Sequence, residues 1–176
     1  MERQIVSKLA TGIFGPGQSG KTTLAKHLSR YYFDNYSRKS LVLDPNREEW
    51  GRHAMVFGLE DEERFWFQCW RMQRCAVFVE ESADTIKRDR DLIPVFTRLR
   101  HQGHKLHVSG HDAMDLLPVM RRQISTLYLF RQDEDSAAVW AKQFTDKRIF
   151  ESCKLLQYQF LVCHLFGDVK LKMLSI

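Results

Sequence analysis

The chain has little punctuation and no membrane signal. Among 176 residues there are only four prolines and nine glycines, too few for a collagenous or low-complexity chain. No unbroken apolar run exceeds five residues, as in 75–79, whereas roughly 20 are needed to cross a bilayer. The opening residues MERQIVSKLA lack a signal peptide's apolar stretch. The expectation is a soluble, unsecreted protein with no transmembrane segment. The four cysteines, Cys69, Cys75, Cys153 and Cys163, fall into no CxxC or finger spacing, so they read as reduced, mostly buried thiols and not as a zinc site. No internal repeat and no Ser/Gly-rich linker divides the sequence.

What is present is ordinary globular composition, 44% hydrophobic and 28% charged, at a length that suits one domain over 1–176. Lys and Arg outnumber Asp and Glu by 27 to 22, a net charge of +5. That bias permits a polyanionic partner without requiring one.

Short apolar runs alternate with longer amphipathic stretches, the pattern of strands crossed over by helices. Strands are expected at about 9–14, 40–43, 75–79, 105–109 and 126–130, giving five βα units. One-sided helices are expected over 21–32 (Leu24, Leu28, Tyr32), 89–101 (Leu92, Val95, Phe96, Leu99) and 133–144 (Ala137, Val139, Trp140, Phe144). Beyond Arg148 the period becomes two: Leu156, Tyr158, Phe160 and Val162 on one face, then Val169, Leu171 and Met173 after the turn signal Gly167-Asp168. This predicts a C-terminal β-hairpin. Residues 46–57 are the least legible.

Gly15-Pro16-Gly17-Gln18-Ser19-Gly20-Lys21-Thr22 matches GxxxxGK(S/T) in full, after one predicted strand and opening one predicted helix. Such a loop turns its amides inward on phosphate oxygens, with the positive end of the helix dipole behind them. Lys21 is then expected at the β and γ phosphates of ATP, the Thr22 hydroxyl on Mg²⁺, and Thr23 as a cap or an α-phosphate contact. The strand over 75–79 runs directly into Glu80-Glu81. In an open α/β sheet ligands bind at that edge, and neighbouring side chains at a strand end diverge. Glu80 is therefore assigned to the metal and Glu81 to the attacking water.

Together with Leu41-Val42-Leu43-Asp44-Pro45-Asn46, Arg98-Leu99-Arg100-His101-Gln102-Gly103 and Val108-Ser109-Gly110-His111, these motifs resemble the FtsK-HerA superfamily of DNA-pumping ATPases. The short chain and the segment from Leu117-Pro118 to Leu129-Phe130-Arg131 are similar to the genome-packaging ATPases of membrane-containing icosahedral viruses. The resemblance implies an α/β P-loop NTPase fold, RecA/FtsK-like, with a mainly parallel sheet flanked by helices. It also implies ATP hydrolysis coupled to non-sequence-specific movement of double-stranded DNA by a homo-hexameric ring. A capsid vertex protein is an implied partner, and the implied setting is the host cytoplasm or a virion's packaging vertex. Motors of this kind complete each site with an arginine from the adjacent subunit, for which Arg98 and Arg100 are the candidates. Two departures stand out: Glu80-Glu81 replaces the family's Asp-Glu, and His111 stands where a γ-phosphate-sensing Gln is usual.

Other features admit plainer readings. His101, His104, His107 and His111 cluster, but with no i, i+4 pair on one helix they do not match a metal site. Phe65, Trp66, Phe67 and Trp70 could stack on bases, though helical spacing suits core or subunit interface. Lys170 and Lys172 could follow a phosphate backbone or simply face solvent. The competing functions are a small-molecule or nucleoside kinase, for which a water-activating Glu81 has no use, and a phage assembly or export ATPase.

Overall fold

A computed structural model describes residues 10–175; position 9 of the first expected strand lies outside them. The chain runs β1 (Ala10–Phe14), α1 (Lys21–Tyr36), β2 (Ser40–Leu43), β3 (Ala54–Phe57), α2 (Glu62–Arg71), β4 (Ala76–Val79), α3 (Ser82–Thr85), α4 (Ile93–Arg98), β5 (Lys105–Gly110), α5 (Pro118–Arg121), β6 (Ile124–Leu129), α6 (Glu134–Phe144), β7 (Gln159–His164) and β8 (Val169–Met173). A 3₁₀ helix at Lys147–Lys154 joins α6 to β7. The strands form one sheet of order β3-β2-β4-β5-β1-β6-β7-β8. The first six are parallel, while β7 and β8 join antiparallel as the expected hairpin.

Both faces of the sheet are covered, which is why β2 and β4 are buried throughout instead of alternating. On one face α1 lays Leu24 and Ala25 over Ile13, Val42 and Phe78, with Trp50 closing the layer. On the other, Phe65 and Cys69 of α2, Val95 and Phe96 of α4 and Trp140 of α6 pack over Phe14, Val79 and Val108. Within the expected aromatic group, Phe65 is core while Phe67 and Trp70 are exposed.

Three local expectations change. The expected helix over 89–101 is in pieces: 3₁₀ turns at Arg90–Leu92 and Leu99–Gln102 flank α4. Pro94 is confined to the first turn of α4 because it has no N–H to donate, and Gly103 at φ 78 ends the segment. Its apolar residues still share the core-facing side. An additional strand, β3, occupies the illegible stretch. It is reached through a loop built around Asp44, whose carboxylate accepts from the Asn46 amide (2.9 Å), the Glu48 amide (3.0 Å) and Trp50 Nε1 (3.1 Å). In the hairpin the one-faced pattern fails at its start, since Leu156 is exposed and precedes β7, and Leu161 and Cys163 are buried as well as Phe160. A strand between two others under a covering 3₁₀ helix has no free face, whereas the edge strand β8 leaves Leu171 and Met173 exposed.

The order of strands matters for the site. Because β5 lies between β1 and β4, its C-terminal end is delivered between the loop after β1 and the acidic pair after β4.

Candidate active site

Residues 15–22 form the turn expected of them. Gly20 caps α1 at φ 102, and a Cβ there would lie 2.7 Å from Leu174 Cδ2. The backbone conformation therefore favours glycine, and a side chain there would also have to displace Leu174. A Cβ on Gly17 would meet nothing within 4 Å, so its open side is left for a ligand. The amides of Gly17, Gln18 and Gly20 donate to no group among the described residues. Ser19 Oγ is buried without a hydrogen-bond partner. Lys21 is buried, and its ammonium donates to Pro16 O at 2.9 Å. Burial lowers its pKa, against the pull of Glu81, Glu80 and Asp115. Free amides, an orphaned hydroxyl and an incompletely solvated ammonium are the chemistry of a phosphate cradle.

Thr22 Oγ1 donates to Glu80 Oε2 at 3.1 Å. Glu80 is buried at the end of β4, and burial pushes its carboxyl up to about 7, with hydrogen bonds from Ser109 and Thr22 opposing and Asp44 and Glu81 adding repulsion. A hydroxyl and a carboxylate side by side are hard oxygen donors suited to Mg²⁺, so these two residues fit the ion read from the sequence.

Glu81 turns away from Glu80 because its backbone is left-handed, φ 51 and ψ 67, a conformation costing a non-glycine residue about 1 kcal/mol or more. The turn is held by Thr85 Oγ1, which donates to Glu80 O (2.9 Å) and Glu81 O (3.1 Å), and by the Glu81 amide donating to Ser109 Oγ (3.3 Å). Glu81 Oε2 lies 2.9 Å from His111 Nε2. His111 is itself fixed through its amide, which donates to Asp115 Oδ2 at 2.8 Å, and through its carbonyl, which accepts from Gln132 Nε2 at 3.4 Å.

The structure thus brings Lys21, Thr22, Glu80, Glu81 and His111 to one edge of the sheet, with Gly15, Pro16, Gly17, Gln18, Ser19 and Gly20 as the loop and Thr23 in the first turn of α1. It does not bring Arg98 and Arg100 there. Both are exposed on the segment leading to the N-terminal end of β5, the opposite edge. Three contributors escaped the sequence reading: Ser109, which touches both glutamates, Asp115 and Gln132. Asp115 was marked by an Asp-x-x-Asp capping box with Asp112 directly after a strand. Gln132 carried no such signal. Arg131 is exposed beside the loop and, with Pro16 to Ser19, Phe130 and Leu155 to Gln157, lines a cavity of about 240 Å³. The other histidines have separate tasks: His104 Nδ1 accepts from the Cys75 amide at 3.1 Å, and His107 stacks on Phe78 at 4.4 Å.

No family model matches the chain, and no curated protein matches it in sequence. Solved structures do match it in shape. The DNA-packaging ATPase of Sulfolobus Turreted Icosahedral Virus aligns with a TM-score of 0.75 and 16% identity over 96% of this chain and 98% of that one. The genome packaging NTPase of Sulfolobus turreted icosahedral virus 2, in complex with ATP-gammaS, gives 0.79 and 16% over 97% and 100%. The chain has the P-loop ATPase fold of these structures. VirB4 of Thermoanaerobacter pseudethanolicus shares it too, at 0.72 and 11% over 95% and 90%. At such identities the agreement is one of backbone architecture, and this mainly parallel P-loop NTPase fold is the one the resemblance in sequence implied.

Proposed function

We propose that this protein is an ATP-hydrolysing motor that moves double-stranded DNA, and that it packages a viral genome. The observation carrying the proposal is the convergence of three strand ends: the phosphate loop after β1, Glu80 and Glu81 after β4, and His111 after β5. A loop that only bound nucleotide would have no need for a second carboxylate set 2.9 Å from a histidine ring nitrogen.

In this reading the loop amides and Lys21 hold the β and γ phosphates, and Thr22 with Glu80 would hold Mg²⁺. The bound ion would screen charge on the phosphate oxygens. Glu81 orients the attacking water and takes up its proton, while His111 positions Glu81. The cavity beside Pro16 and Arg131 takes the nucleoside end of ATP. A neighbouring subunit in a hexameric ring supplies Arg98 or Arg100; their location away from their own phosphate loop suits action in another subunit's site. The whole chain works as one ATPase domain, in the host cytoplasm or at a packaging vertex against a capsid protein. Similarity in fold to packaging NTPases supports the reading, as does the oriented Glu81, which a small-molecule kinase would not use.

The test is hydrolysis and binding by two variants. Lys21→Ala should lose both ATP binding and turnover, and Glu81→Gln should bind ATP but not turn over. Wild-type turnover by Glu81→Gln would remove the water-positioning role from that residue.

A further inference from the structure

We propose that duplex DNA is gripped at the edge of the sheet opposite the nucleotide site, on a basic and aromatic face formed by the end of α1 and the entrances to β2, β4 and β5. The inference rests on the DNA-motor reading and assigns that motor its substrate surface.

Four elements converge there. Helix α1 starts at the phosphate loop and runs back to Tyr36, leaving Tyr31 and Tyr36 about half exposed at 49% and 52%. Arg38 and Lys39 lead into β2, Arg74 leads into β4, and Lys105 begins β5. The Arg38 guanidinium ties the three entrances together, donating to Arg74 O at 3.2 Å and to Gly103 O at 2.7 Å. Tyr36, Arg38, Lys39, Gln73 and Arg74 border a groove of about 450 Å³.

Three cations of this face, Arg38, Lys39 and Arg74, form no ion pair with a carboxylate among the described residues, where the ion pairs engage Lys26, Arg30, Arg47, Arg64, His111 and Arg148. Asp34 on the last turns of α1 is held by Arg30 at 2.7 Å. Burial and the adjacent Arg38 both depress the Lys105 pKa, so like charges crowd here. A helix C-terminus favours cations and accounts for Arg38 and Lys39. It does not account for Arg74 and Lys105, which arrive on other elements. Cations beside exposed tyrosines suit a phosphodiester backbone, where charge gives grip without sequence and hydroxyls add contacts to phosphate and sugar. Strand β5 connects the two edges, with Lys105 at one end and His111 just beyond the other, roughly 20 Å apart.

The test compares wild type with Lys39→Gln/Arg74→Asn and with a control, Lys142→Gln/Lys147→Gln, on α6 and the following 3₁₀ helix. Asn tolerates the left-handed backbone at position 74, φ 56, and matched unfolding midpoints check the folds. Binding to a mixed-sequence duplex is titrated at several salt concentrations, with poly-glutamate as a second polyanion. The face variant should bind the duplex at least about ten-fold more weakly, with a log–log salt slope shallower by about 2, and the control should match wild type. Unchanged duplex binding by the face variant, or equal weakening by the control, would overturn this surface and leave the motor standing. Poly-glutamate binding without duplex binding by wild type would overturn both, marking the face as a site for an acidic protein.

Discussion

The Glu81–His111 contact, 2.9 Å between Oε2 and Nε2, ties the proposed water-orienting carboxylate to the end of β5. If His111 positions Glu81, His111→Gln should retain hydrolysis and His111→Ala should lose at least about ten-fold in kcat with little change in nucleotide affinity; equal loss of affinity and kcat would instead indicate damage to the loop. His107, four residues earlier on β5, tests burial in the core. Burial lowers its pKa from 6.5 to about 4, so the native ring is neutral. A base depressed on folding leaves stability whole above about pH 6.5, and stability is lost as pH falls toward 4, by about 3 kcal/mol in full. Glu80 has the opposite sign, because its raised carboxyl makes stability fall as pH rises from 4.5 to about 7. Urea unfolding of wild type and His107→Phe across pH 4 to 7 separates the two: subtracting the variant should leave a stability that climbs with pH. A flat difference would contradict the burial account of His107.

At the scale of elements, what was legible followed from local rules, and what was hidden depended on partners distant in sequence. The phosphate loop and the strand–Glu80-Glu81 junction were legible because each is a contiguous motif between an apolar run and a helix pattern. β2 was legible to the residue, being an apolar run with polar flanks. β3 was not: its four residues include an exposed Met55, and it is fixed by pairing with β2 and by the Asp44 loop. That loop makes a prediction. Asp44→Ala removes the acceptor of three donors, one of them the buried Trp50 indole, and should cost about 2–4 kcal/mol. Amide exchange should accelerate at Ala54–Phe57 more than in β1 or β5; uniform acceleration would show that the loop does not anchor β3 specifically. Continuity of 89–101 was over-read because one-sided spacing survives a helix broken into 3₁₀ turns. The site's remaining members, Ser109, Asp115 and Gln132, are placed by the insertion of β5 between β1 and β4 and by α6, relations that no local pattern encodes.

At the scale of the whole molecule, the chain presents a loop, two glutamates and a histidine at one edge, while Arg98 and Arg100 stand exposed at the other. If those arginines complete a neighbour's site, a head-to-tail interface is required, and closure of such an interface gives a ring. Hydrolysis per subunit should then rise with protein concentration. Mixing inactive Lys21→Ala with inactive Arg98→Ala or Arg100→Ala should restore activity, since some interfaces pair an intact loop with an intact arginine. A rate independent of concentration, from a protein that stays monomeric with ATP and DNA, would place the missing cation within the subunit, with Arg131 beside the loop the first residue to replace. The most direct test of the central claim is steady-state ATP hydrolysis with and without mixed-sequence duplex DNA, using Glu81→Gln as the blank. A DNA-moving ATPase should hydrolyse ATP faster when duplex is added, whatever its sequence, with the stimulation fading as salt rises. Hydrolysis indifferent to DNA, or phosphate delivered to a small-molecule acceptor instead of water, would contradict it.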